Sequence, residues 1–118
     1  MLRGYIEAML WSSTVTDAEG EYLGSLEGFQ VSAEAMKSCE NACATFLAEN
    51  QDRISSAIES RYDYDLSDIG HDFWLTRCGH GAGFWDRGDE PAWEELSEAA
   101  RAYGEVWPYV GEDGKVYL

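Results

Sequence analysis

The reading of the fold turns on His71-Asp72-Phe73-Trp74-Leu75-Thr76-Arg77-Cys78-Gly79-His80-Gly81-Ala82-Gly83-Phe84-Trp85-Asp86-Arg87-Gly88, which crowds four large aromatics and four glycines together. Read with a period of two, Asp72, Trp74, Thr76 and Cys78 fall on one face, and His71, Phe73, Leu75 and Arg77 on the other. Gly79-His80-Gly81 then supplies backbone freedom for a reversal, and Ala82–Arg87 returns as a second strand. This pattern predicts a β-hairpin.

Working outward, Asp89-Glu90-Pro91-Ala92-Trp93 starts a helix with proline near its first position. Trp93, Leu96, Ala99, Ala100 and Tyr103 share one side of it, and Gly104 ends it. Val106–Val110 and Lys115–Leu118 flank Gly111-Glu112-Asp113-Gly114 as a second hairpin, with Pro108 marking an edge strand. Upstream, Ser32 is an N-cap, and Glu34 complements the dipole of the helix that follows. Met36, Cys39, Cys43, Phe46, Leu47, Ile54, Ala57 and Ile58 keep a helical stripe to about Ser60, broken or bent at Asn50-Gln51-Asp52. Tyr5, Ile6, Met9 and Leu10 predict a short helix from Gly4 to about Ser12, while Trp11 through Thr16 also suits a strand. Residues 17–30 read as loop with a short strand around Glu21–Leu23. No repeat or linker interrupts residues 1–118, so a single domain is expected. The expected class is α+β, an antiparallel sheet of about four strands in two hairpins with helices packed on one face.

Hydrophobic residues at 45% and aromatics at 14% exclude general disorder. The early acidic residue Glu7 and the lack of a long apolar core argue against a secretory signal. No apolar run approaches the roughly 18–20 residues that span a bilayer. Three cysteines, an odd number, argue for a reducing compartment, and the chain is expected in the cytoplasm. Twenty-three acidic residues against eight basic ones give a net charge of −15. Such a surface repels DNA, RNA and anionic membranes and attracts basic grooves. The expected partner is therefore a nucleic-acid-binding protein with a basic groove, with no direct nucleic acid and no membrane. Acidity of this kind also keeps a small aromatic-rich domain soluble.

Among groups that carry chemistry, Cys39, Cys43, Cys78 and His80 together offer a ligand set that tetrahedral zinc accepts. Their spacing matches neither a zinc knuckle nor a two-Cys, two-His finger, and Cys39 and Cys43 fall on the apolar stripe as packed thiols do. No metal or cofactor is assigned. Cys78 with His71 or His80 could pair a thiolate with an imidazole, but acidic surroundings raise a thiol's pKa and no protease signature is present. A small metal-binding protein or Cys/His-based enzyme centred on Cys78 and His80 is the alternative class. Gly79–Gly83 leads into Phe84-Trp85-Asp86 without a lysine, unlike a phosphate loop. Asp63 to Asp68 lacks the later glycine and glutamate of a calcium loop.

Two groups of carboxylates stand out by arrangement. Asp63, Asp65, Asp68 and Asp72 follow one another through an aromatic segment, and Asp86, Asp89, Glu90, Glu94, Glu95 and Glu98 run onto the last helix. Alternate residues of a strand lie about 6.5–7 Å apart, near the phosphate repeat of one DNA strand. Such rows let acidic proteins imitate DNA, although acids along a helix also form a solvated face. Phe73, Trp74, Phe84 and Trp85 would point to both hairpin faces, one toward the core and the other either covered or open to a partner.

The segment His71–Gly88, the run Leu96-Ser97-Glu98-Ala99-Ala100-Arg101-Ala102-Tyr103-Gly104-Glu105 and the ending Tyr109-Val110-Gly111-Glu112-Asp113-Gly114-Lys115-Val116-Tyr117-Leu118 resemble small acidic orphan proteins encoded by bacteriophages and prophages. The resemblance covers His71 to Leu118, and no established activity comes with it. Cys78 departs from it, standing where a polar or basic residue is expected. The resemblance implies a non-enzymatic phage accessory protein in the host cytoplasm that inhibits a host defence enzyme. CRISPR effectors and restriction enzymes both present basic grooves, which makes this an anti-CRISPR or anti-restriction expectation. In it, Asp86, Asp89, Glu90, Glu94, Glu95 and Glu98 carry the long-range attraction, and Trp85 and Trp93 serve as anchors. A homodimer stays open as an assembly state.

Overall fold

The computed structural model describes residues 1–16 and 22–118; of the expected loop, residues 17–21 lie outside the described residues. Helix α1 (Leu2–Ser12) is followed by the antiparallel strands β1 (Thr14–Thr16) and β2 (Tyr22–Ser25). Next come α2 (Ala33–Glu49), α3 (Gln51–Ser60) and α4 (Leu66–Arg77). A single 3₁₀ turn (Phe84–Asp86) leads to α5 (Pro91–Arg101), and β3 (Tyr109–Val110) pairs antiparallel with β4 (Val116–Tyr117).

Several local rules operate as the residue pattern anticipates. The Ser32 hydroxyl accepts a hydrogen bond from the Ala35 amide at 3.1 Å, which caps α2. Asn50, 4% exposed, separates α2 from α3 by donating its side-chain amide to the Phe46 carbonyl at 2.9 Å. Pro91 opens α5, whose buried side carries Trp93, Leu96 and Ala100.

The architecture is nonetheless helical, and the expected four-stranded α+β sheet is overturned. The strands form two separate two-stranded pairs, and no four-stranded sheet exists among the described residues. The aromatic stretch does not fold as a hairpin: its first half is the last two turns of α4, and the expected return strand is the 3₁₀ turn. The reason lies in burial. Asp72, Phe73, Trp74, Leu75 and Thr76 are buried in succession because α4 is enclosed on nearly every side. A helix buried all round carries no 3.6-residue stripe and imitates a strand. Its start is marked by a capping box, in which Asp65 accepts from the Ser67 and Asp68 amides while Asp68 accepts from the Asp65 amide. Its end is a Schellman turn: Gly79, at φ +72°, donates to the Thr76 carbonyl and His80 donates to the Leu75 carbonyl.

Two features seat α4. The first is a close crossing with α1 through paired glycines. A Cβ at Gly70 would run into the Met1 carbonyl, and one at Gly4 into the Ser67 carbonyl, so the two backbones touch where neither carries a side chain. Phe73 packs tilted and Trp74 edge-on against Tyr5, and Phe46 lies flat on Phe73 at 4.1 Å. The second is a buried ion pair. Arg87 grips Asp72 with two hydrogen bonds, Nε to Oδ2 at 2.9 Å and Nη2 to Oδ1 at 2.7 Å, and Tyr64 donates its hydroxyl to Oδ2 at 2.5 Å. Asp72 is 1% exposed. Burial, and then the neighbouring carboxylate, push the Tyr64 phenol well above its ordinary value, while the hydrogen bonds to Asp72 hold Arg87 firmly protonated.

Both features can be tested by urea unfolding. Gly70→Ala should lose about 1–3 kcal/mol by overpacking, even though alanine gains about 1 kcal/mol in helix propensity. Gly81→Ala, whose Cβ meets nothing within 4 Å, should leave the midpoint in place. Equal midpoints for the two variants would remove the glycine crossing as a constraint. Asp72→Asn should cost about 3–5 kcal/mol, and Asp72→Leu/Arg87→Met less than the sum of its two single changes. Strict additivity would mean that the two groups are not coupled.

Candidate functional site

The acidic segment begins at the 3₁₀ turn. The Phe84 amide donates to Thr76 Oγ1 at 3.1 Å and the Phe84 ring is fully buried beside Phe46, which leaves the next residue, Trp85, 48% exposed. Asp86 accepts from the Gly83 amide at 3.4 Å and lies 3.7 Å from Arg87 Nε. Asp89 and Glu90 are exposed on the approach to α5, where negative charge complements the helix dipole. On α5 itself Glu94, Glu95 and Glu98 face solvent, opposite the buried Trp93, Leu96, Ser97 and Ala100. Glu95 reaches Arg53 of α3 at 2.8 Å across the surface, while Asp89, Glu90, Glu94 and Glu98 form no ion pair among the described residues.

Trp93 does not sit on this surface. It is 2% exposed, packs edge-on against Tyr64 at 5.1 Å and donates its indole N–H to Glu90 at 3.1 Å, so its role as an external anchor is corrected to a core role. Its place on the apolar stripe with Leu96 and Ala100 already pointed inward. The row Asp63, Asp65, Asp68 and Asp72 is corrected as well. Asp63 occupies a turn at φ +58°, Asp65 and Asp68 form the capping box, and Asp72 is buried against Arg87. No extended ladder of carboxylates forms from these four.

The thiols and imidazoles divide between two places. Cys39 and Cys43 lie on the core side of α2, where burial pushes their thiols up to about 11 and about 12. Cys78 and His80 meet at a cleft of about 310 Å³ between the end of α1, the end of α4 and the segment Glu105–Pro108. The Cys78 thiol faces the Val106 carbonyl at 3.8 Å, and burial raises its pKa. A nucleophilic cysteine needs the opposite shift. His71 stacks loosely on Trp11 at 6.0 Å, and two helical turns, about 10 Å, separate its backbone from that of Cys78. Among the described residues no three His, Cys, Asp or Glu side chains converge to hold a metal ion, so the zinc set Cys39, Cys43, Cys78 and His80 is not assembled. The indole and carboxylate that flank the cleft, Trp107 and Glu105, were not marked by any motif; the exposed aromatic beside Pro108 was the available signal.

No protein-family model, curated protein or solved structure matches the chain. No helix among the described residues is long and apolar enough to cross a membrane.

The thiol environments set an alkaline limit on stability. The folded-state values of Cys39 and Cys43 lie above the ordinary 9.0, so the unfolded chain releases these protons first as pH rises. Their contribution should be intact below pH 9.0 and lost as pH climbs through about 11 and about 12. Tyr5 and Tyr64, also raised by burial, act in the same direction. The urea midpoint should fall across this window, and a thiol reagent near neutral pH should spare Cys39 and Cys43 until the chain unfolds. A midpoint that stays flat through the window would contradict the buried-thiol account.

Proposed function

We propose that this chain is a non-enzymatic accessory protein of bacteriophage or prophage type that binds a nucleic-acid-processing protein of the host cytoplasm. The face that carries binding is formed by Asp86, Asp89, Glu90, Glu94, Glu95 and Glu98, with Trp85 beside it. The observation that supports this reading is the exposure of all six carboxylates along one turn and one helix, most of them without a cationic partner among the described residues. In a chain of net charge −15 such a face presents a concentrated negative field to a basic groove. A groove built to take DNA, as in a CRISPR effector or a restriction enzyme, has the complementary sign, and the acidic face would occupy it in place of nucleic acid. Trp85 supplies a large apolar contact at the rim, of the residue type that dominates binding energy at interfaces.

The test is capture from bacterial lysate at low and high salt, followed by competition with duplex DNA for the captured protein. The wild-type chain should retain a DNA-binding protein at low salt, lose it at high salt, and be displaced by DNA. Glu94→Lys/Glu98→Lys changes two exposed, unpaired charges and should reduce capture about tenfold, chiefly through slower association. Capture that ignores salt, DNA and the charge reversal would discard the acidic-face reading.

A further inference from the structure

We infer that the cleft at the end of α4 receives an arginine side chain presented by a protein partner. This site shares no residue with the acidic face of α5, so either can fail while the other stands.

The cleft sets one exposed indole beside one carboxylate. Its outer wall is Trp107, 76% exposed, an indole held out in solvent beside Pro108. Its inner wall is Trp74, 1% exposed, whose indole N–H is already given to Ser12 Oγ at 2.8 Å. With that donor satisfied, Trp74 closes the floor of the cleft without adding a free hydrogen-bond donor. Glu105 lines the cleft beside Gly79 and forms no ion pair among the described residues. Ser13 and Thr14 also line it, and among the described residues no lysine or arginine does, His80 being the one basic side chain in the lining.

The physical chemistry favours a guanidinium over other occupants. A cation is drawn to the face of an indole, most strongly to tryptophan. Guanidinium is planar and weakly hydrated, so it can stack on Trp107 while its edge donates to Glu105. An ammonium keeps its water more tightly and cannot stack. A carboxylate or phosphate would meet Glu105 in a molecule already strongly negative. At about 310 Å³ the cleft suits one long side chain rather than a folded segment. Tryptophan and arginine are also the residues most enriched at the energetic centres of interfaces.

The experiment is a titration of ¹⁵N-labelled full-length protein with a capped Gly-Arg-Gly peptide. Parallel titrations use the same peptide with lysine or with citrulline, the neutral isostere of arginine, and the Trp107 indole resonance is assigned from Trp107→Phe. The arginine peptide should shift the Trp107 indole N–H and the backbone amides of Gly79 and Glu105. The lysine peptide should bind more weakly and the citrulline peptide should leave the spectrum unmoved. Glu105→Gln should weaken binding about tenfold and Trp107→Ala about fivefold, with the rest of the spectrum in place because both side chains are on the surface. Glu94→Lys/Glu98→Lys should leave the same three resonances responding. Equal shifts from citrulline would make the cleft an apolar groove, and equal shifts from lysine would make it an unselective cation site. Shifts spread over all acidic regions would reduce it to bulk charge. Any of these, or no shift at all, overturns the inference.

Discussion

A carboxylate with almost no access to water organises this molecule. Burying the Asp72 carboxylate is costly unless Arg87 and Tyr64 hydrogen-bond it, and those partners come from either side of α4 in the chain. To reach Asp72, Arg87 must fold back across the end of α4, which sets the 3₁₀ turn and buries Phe84. Tyr64 in turn braces Trp93 and so fixes the start of α5. Arg61 adds a further tie by donating to the Arg87 carbonyl. Replacement of such a pair by apolar residues often costs little, whereas an unmatched partner costs much, so the pair works chiefly by excluding other arrangements.

The aromatic and glycine-rich stretch thus has a structural explanation at nearly every position. Phe73, Trp74 and Phe84 fill the core, Thr76 receives the Phe84 amide, and Arg77 closes the far end. Arg77 donates to the Tyr103 and Gly104 carbonyls just past α5 and to the Tyr5 hydroxyl, while lying over the Phe73 and Tyr103 rings. A guanidinium placed there ties the segment after α5 back to α4 and α1. The internal charges serve architecture. Among the described residues every carboxylate but Asp72 is at least partly exposed, and Asp86, Asp89, Glu90, Glu94 and Glu95 follow closely where α5 begins.

The sequence was legible where one side of an element faces water and opaque where none does. Helices α1, α2, α3 and α5 each carry apolar residues at three- and four-residue spacing, and Ser32, Asn50 and Pro91 mark their limits. In α4 the run Asp72 to Thr76 is buried without a break, so periods of 2 and 3.6 fit it equally well. The deciding signal was local: Asp65 and Asp68 stand three residues apart, as a capping box requires, but they also read as members of an acidic row. The surface carboxylates of α5 were legible because that helix is amphipathic. The cleft was not, because its walls come from α1, α4 and the segment after α5, which only the folded chain brings together.

The α1–α4 crossing also bears on how the chain comes together in time. Ser12 and Trp74 lie 62 residues apart and Tyr5 and Arg77 lie 72 apart, yet each pair is joined by a hydrogen bond. At synthesis rates of about 5–20 residues per second, α1 leaves the ribosome several seconds before α4 exists to receive it. During that interval the bare backbone at Gly4 and the side of Tyr5 that meets Phe73 and Trp74 have no native surface to cover. The crossing of the N-terminal helix with α4 is therefore a late contact in synthesis, and the net negative charge of the chain opposes association between copies until it forms.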